Sequence, residues 1–169
     1  MSPDLEKART AMQEAARGMA IEELSRHAPG KWCTAEILDH LAQTFSSSAK
    51  ALERHLSKGE PAGRRATLME WLSVLVVVKA GHLPGGRKAP AFAEPQGIEA
   101  AQALPYFCET LSLMDDAIMR CEQKFGASAK IAAHPILGPL TADEWRKFHW
   151  VHTRHHVRQV ERLRKTFRT

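Results

Sequence analysis

Apolar residues recur along this chain with a helical period of three to four, and no segment shows the strict alternation of a half-buried strand. Proline, glycine and capping residues divide the pattern. An opening helix is predicted over 3–17, with proline and acids in its first turn and Gly18 as its stop. A short helix, IEEL at 21–24, precedes the loop HAPGKW, which Pro29 and Gly30 break. A long helix starts at Cys33 or Thr34 and runs to 58, before Gly59. Glu36 stands where a capping box needs it, but cysteine is a poor cap, which gives Thr34 the capping role. Further helices are predicted over 66–80, over 98–125 with a break near Pro105, and over 141–167. Thr141 and Glu144 make the clearest start signal, a capping box. The segments 81–97 and 134–140 read as irregular loops. The expected fold is all-α: a four-helix bundle with a short extra helix and two irregular loops, forming a single domain over 1–169.

Size agrees with one domain: 169 residues and 18.9 kDa suffice for a core without disulfides or a structural metal. An apolar fraction of 44% and a charged fraction of 25% exclude disordered and collagen-like classes. The most apolar stretch, LMEWLSVLVVV at 68–78, contains Glu70 and is about half a membrane span. It reads as buried helix, Trp71 included. The charged opening MSPDLEKART lacks the apolar core of a signal peptide. Cys33, Cys108 and Cys121 are odd in number and form no C-x-x-C pair, so buried free thiols in a reducing cytoplasm are expected.

Two features of composition invite function. Net charge is +5, and four of the nine histidines fall within 149–156. On a helical wheel, Trp145, His149, His152, His156, Leu163 and Phe167 share a sector of roughly 60°. Lys147, Arg154, Arg158, Arg164 and Lys165 fall away from it and read as a solvated basic face. No zinc-finger spacing or RNA-binding aromatic motif accompanies that charge, so no nucleic-acid partner is expected, and no membrane either. Trp150, Thr153 and Val157 lie off the stripe, suited to another helix or to a homodimer partner.

His152 and His156 occupy the middle of an apolar stripe at i, i+4. Their Cβ atoms are therefore about 5–6 Å apart, close enough to converge on one divalent ion. The alternative is a buried, hydrogen-bonded pair of core histidines. A catalytic site needs a third ligand from another helix; of His27, His40, His55, His82 and His134, His40 is the best candidate, inside a helix and one turn from its start. His40 shares a row with Thr44, Ser47 and Ala51, about 120° from the apolar stripe of its helix. That row either lines a cavity or faces solvent.

The stretch GKWCTAEILDHLAQTF at 30–45, followed by HPILGPLTADEWRKFHWVHTRHHVRQ at 134–159, resembles the DinB-like (YfiT-like) superfamily. The second stretch resembles one of its uncharacterised bacterial branches, with an H-x-x-H-H-x-x-Q pattern at His152, His155, His156 and Gln159. The resemblance implies a four-helix bundle of up-down-down-up connectivity. It implies a divalent ion, zinc or nickel before iron or copper, held by His40, His152 and His156. His155 and Gln159 match neighbouring family positions outside the ligand set, and Gln159 has a packing or supporting role. His149 is an additional candidate ligand or pocket wall, and Thr44 a pocket residue. Cys33 stands where the family has serine or threonine.

The resemblance implies a metal-dependent hydrolase, or a transferase using a low-molecular-weight thiol, acting on a small molecule. The alternative is a non-catalytic, stress-related metal- or ligand-binding protein. An enzyme would keep an open metal position beside a pocket, whereas a binding site would be closed by His149 or His82. His149 and His155 are the nearest candidate bases, since Asp39 points to the other side of its helix. The loop 81–97 is a candidate lid, with Arg87 or Lys88 meeting an anionic substrate.

Overall fold

The computed structural model describes residues 1–84 and 89–168, so Arg87 and Lys88 lie outside the described residues. The chain is mostly helical. Four long helices, α1 (Pro3–Ala16), α3 (Thr34–Lys58), α5 (Ala100–Phe125) and α6 (Ala142–Arg168), carry the core. The short α2 (Ile21–Leu24) follows α1, and α4 (Leu68–Val74) continues as a wide π-type turn over Leu75–Lys79. A 3₁₀ turn at Ala91–Ala93 interrupts the long connection before α5. No helix among the described residues is long and apolar enough to cross a membrane.

α3 packs mainly on α5, and α1 on α6. Between them Leu5, Met12, Leu38, Leu41, Phe45, Phe107, Leu111, Met114 and Trp145 are almost wholly removed from water. Each such side chain contributes about 1.5–3 kcal/mol of burial. Local chemistry sets the helix ends. At α6 the Thr141 amide donates to Glu144 Oε2 (2.8 Å) and the Glu144 amide donates to Thr141 Oγ1 (3.3 Å). At α3 the Cys33 amide donates to Glu36 Oε2 (2.8 Å). Thr34 does not take the cap: its hydroxyl is buried without a partner among the described residues, because position 34 already lies inside the first turn.

Within 134–140 the loop reading needs amendment. β1 (Ala132–His134) and β2 (Gly138–Leu140) pair antiparallel, with Ala132 opposite Leu140 and His134 opposite Gly138. Three-residue strands are too short for alternation to show. His134 Nδ1 accepts the amides of Ile136 and Leu137, both at 3.1 Å, and closes the turn.

The 68–78 stretch is also corrected. Val74, Val77 and Val78 are buried, but Leu68, Met69, Trp71, Leu72, Leu75 and Val76 are exposed, Trp71 by 53%. A short helical stretch that is apolar all round can press only one face onto the protein, here through its π-type turn onto α6.

The basic face of α6 is not wholly a solvated one. Arg154 donates to the Gly81 carbonyl (2.6 Å), and Arg164 donates to the carbonyls of Ala15 (3.1 Å) and Arg17 (2.7 Å) at the end of α1. A cation there complements the negative end of the helix dipole. Thr153 and Val157 are buried. Trp150 borders a groove of about 530 Å³ against Pro3, Glu6, Lys7, Thr10 and Ala11 of α1, so α1 is the neighbour of this face.

The connection into α5 is held from α3. Asp39 is buried, and its Oδ2 accepts the amides of Gln96 (2.6 Å), Gly97 (3.0 Å) and Ile98 (3.3 Å). Asp39 thus satisfies, from another helix, the backbone amides of the three residues that lead up to Glu99 and α5.

Candidate metal centre

His152 and His156 sit one turn apart on α6, and α3 brings His40 against them. The Nε2 atoms converge: His152 Nε2 lies 3.3 Å from His40 Nε2 and 3.1 Å from His156 Nε2. His40 and His156 are buried, and His152 retains some exposure.

The opposite ring nitrogens decide where the protons sit. His40 Nδ1–H donates to the Ala93 carbonyl at 2.6 Å. A carbonyl can only accept, so His40 Nε2 carries a lone pair. His156 Nδ1–H donates to Gln159 Oε1 at 2.8 Å, and the Gln159 amide donates to His155 Nε2 at 3.1 Å. His156 Nε2 therefore carries a lone pair as well. His152 Nε2 faces both and can offer at most one proton, so one lone pair remains unmatched. A cation between the three rings satisfies all three Nε2 atoms, while His152 Nδ1 is buried without a partner among the described residues. With bonds of about 2.0–2.1 Å to a tetrahedral ion, ligand nitrogens stand roughly 3.3–3.4 Å apart, close to the observed spacings.

Burial holds the rings neutral. It lowers the His40 pKa and pushes His156 down to about 3, and neighbouring imidazoles add to the effect on His156. His152 is driven well below its ordinary value, first by burial and then by His156 and His40. Neutral imidazole is the form that ligates.

His149 stays outside the convergent group. Its ring stacks on Trp145 at 5.6 Å and meets the edges of Phe45 and Phe148. Both its nitrogens are buried without a partner among the described residues, and burial lowers its pKa to about 3. His82 is not in the group either. Thr44 is buried and donates to the His40 carbonyl (2.9 Å), which turns its hydroxyl onto its own helix. His155 is half-buried, and burial, then Arg162 and Arg158, lower its pKa.

Two neighbours of the centre escape sequence reading. The Ala93 carbonyl belongs to a 3₁₀ turn in a long connection, and no side-chain type signals a backbone acceptor. Trp32, which reads only as an anchor for the loop before α3, places its ring 5.0 Å from that of His40. It separates the centre from a cavity of about 460 Å³ lined by His27, Lys31 and Glu36. Neither this cavity nor the α1 groove is lined by a histidine of the triad.

No curated protein and no solved structure matches the chain. One family model does, over residues 2–163, under the description of a protein of unknown function, DUF1569. That span includes His40, Ala93, His152, His156 and Gln159, and covers nearly the whole chain, which therefore belongs to the DUF1569 family.

Proposed function

We propose that this is a DinB-like (YfiT-like) metal protein of up-down-down-up connectivity, whose His40, His152 and His156 hold one divalent ion, zinc or nickel before iron or copper. Its activity in this reading is hydrolysis, or transfer to a low-molecular-weight thiol, on a small-molecule substrate. The observation that supports it is the meeting of three Nε2 atoms, two of them left as lone pairs by the hydrogen bonds at Nδ1. An ion held by three neutral imidazoles keeps its full charge and lowers the pKa of a water or thiol brought to it. The protein's own contribution is orientation: the Ala93 carbonyl fixes the His40 ring, and Gln159 fixes that of His156.

A second reading, a non-catalytic metal- or ligand-binding protein, draws on a different observation. His149 is sealed among aromatic rings and His155 Nε2 is engaged by Gln159, so neither candidate base is free. Elemental analysis of the purified protein and of His152→Ala tests the common core of both. About one equivalent of metal in the first and little in the second is expected for a three-histidine site. Equal, substoichiometric metal in both refutes it. Turnover with bacillithiol- or mycothiol-type thiols would then separate the transferase from the binding protein.

A further inference from the structure

A second set of metal-ligating side chains gathers between the end of α2 and the first turn of α3. His27, Cys33 and Glu36 each bring a ligand atom within 4.8 Å of the other two. His27 Nδ1 lies 3.5 Å from Glu36 Oε2 and 3.4 Å from the Lys31 carbonyl oxygen. Both distances are longer than the roughly 2.9–3.0 Å of an ordinary N–H···O bond. The His27–Glu36 distance fits the roughly 3.3–3.5 Å between a nitrogen and an oxygen ligand of one tetrahedral ion, with bonds of about 2.0–2.2 Å.

The sequence makes this a local chelate: the three side chains lie within a short stretch, so little loop-closure entropy opposes their meeting. Cys33 precedes α3 and Glu36 stands in its first turn, where the helix dipole favours a thiolate and a carboxylate. The cavity of about 460 Å³ beside His27 and Glu36 leaves room for an ion and its remaining water ligands. Without a cation, burial raises the Cys33 thiol pKa, and Glu36 adds to the shift.

We propose that His27, Cys33 and Glu36 form a second site for a borderline-soft divalent cation of the zinc type, open to solvent on the side of His27 and Glu36 and closed beneath by the buried Cys33. It shares no residue with the triad and does not depend on the function proposed for it. Binding breaks the Cys33 S–H bond and forms a metal–sulfur bond; the proton leaves to solvent and nothing is oxidised or reduced. The mixed nitrogen, sulfur and oxygen donor set suits zinc. His27 is exposed and Lys31 lines the same cavity, so this site is weaker than the buried triad.

Cobalt(II) titration of the full chain, with a non-coordinating reductant present, tests the proposal. A near-ultraviolet thiolate-to-cobalt charge-transfer band is expected, which three imidazoles cannot produce. The band should persist in His152→Ala, vanish in Cys33→Ser, and need at least about tenfold more cobalt in His27→Ala. Absence of the band in the wild type overturns the proposal. So does its survival in Cys33→Ser, its loss in His152→Ala, or unchanged affinity in His27→Ala. Failure of the triad alone would show differently: the charge-transfer band would remain, and the visible cobalt bands would not change in His152→Ala. His27 is exposed, so its variant folds, and thermal melts of both site variants check this.

Discussion

Replacing Gln159 by leucine tests the tautomer argument at the centre. The change removes the acceptor of the His156 Nδ1–H bond and leaves comparable volume behind. Without metal, His156 has an escape: its proton moves to Nε2 and is donated to His152 Nε2, 3.1 Å away. The stability cost in that state is that of one ordinary hydrogen bond, about 1 kcal/mol. With metal bound, Nε2 must remain a lone pair, and the buried Nδ1–H is left unsatisfied, which costs about 1–3 kcal/mol. The loss therefore falls mainly on affinity, roughly 10–100-fold. Competition against a chromogenic chelator measures it, beside thermal melts of the metal-free protein. Gln159→Glu should act the other way, because a carboxylate accepts the Nδ1–H more strongly and raises ligand basicity. Affinity of Gln159→Leu within about twofold of wild type would refute the argument. So would a melt that falls while affinity holds, which would make Gln159 a packing residue.

Three further outcomes follow from other contacts. His149 is buried neutral with both nitrogens unpartnered among the described residues, so His149→Leu should leave stability unchanged or raise it by about 1 kcal/mol. Its folded pKa of about 3 is below the unfolded value, as is that of His134 at about 4, again through burial. Their contribution is complete above pH 6.5 or so and is lost as pH falls through about 4 for His134 and about 3 for His149, because the unfolded chain takes up more protons over that range. Urea melts across that range should show a shallower acid decline in His149→Leu; an unchanged slope counts against the account. Asp39→Ala strands three backbone amides and should cost about 3 kcal/mol or more, with faster hydrogen exchange at Gln96, Gly97 and Ile98. Exchange there as slow as in the wild type would be inconsistent with that role. Gly138 has a φ of +71°, and an added Cβ would lie 2.5 Å from Glu70 Cδ. Moving Glu70 aside gives up its hydrogen bonds from Arg64 and from the Thr67 amide. Gly138→Ala should therefore destabilise by about 2 kcal/mol or more in denaturant melts, and a neutral result would remove the strain argument.

What could be read from the sequence was local. The Thr141–Glu144 cap involves residues three apart, and the i, i+4 spacing of His152 and His156 is a property of one helix. Periodicity separates Trp145, His149 and Leu163 from the charged positions of α6 because one face of that helix enters the core. His40 is different. Its place inside a helix made it the best of five candidates, but spacing left its row balanced between a cavity and solvent, and the resemblance tipped that balance. Much of what sequence missed involves a backbone partner: the Ala93 carbonyl for His40, the Gln96–Ile98 amides for Asp39, the Ala15 and Arg17 carbonyls for Arg164. Every residue type has those groups, so no residue pattern marks them. The exposed side of α4 failed for another reason. Apolar composition reports the wish to be buried, whereas the neighbours a short helix meets decide how much of it can be.

Asp39 and His40 are consecutive, yet both grip the connection at 93–98, and His40 also reaches α6. The contacts of His40 close chain separations of 53 and 112 residues. During folding, α6 alone can present two rings, but the third ring and the carbonyl that orients it arrive only when α3 has docked on both partners. Long closures of this kind are late events, because their entropy is lost before their contacts form. If the triad holds the ion proposed for it, ion uptake would act as a clock: two-histidine capture early, and full affinity only at the moment the bundle closes.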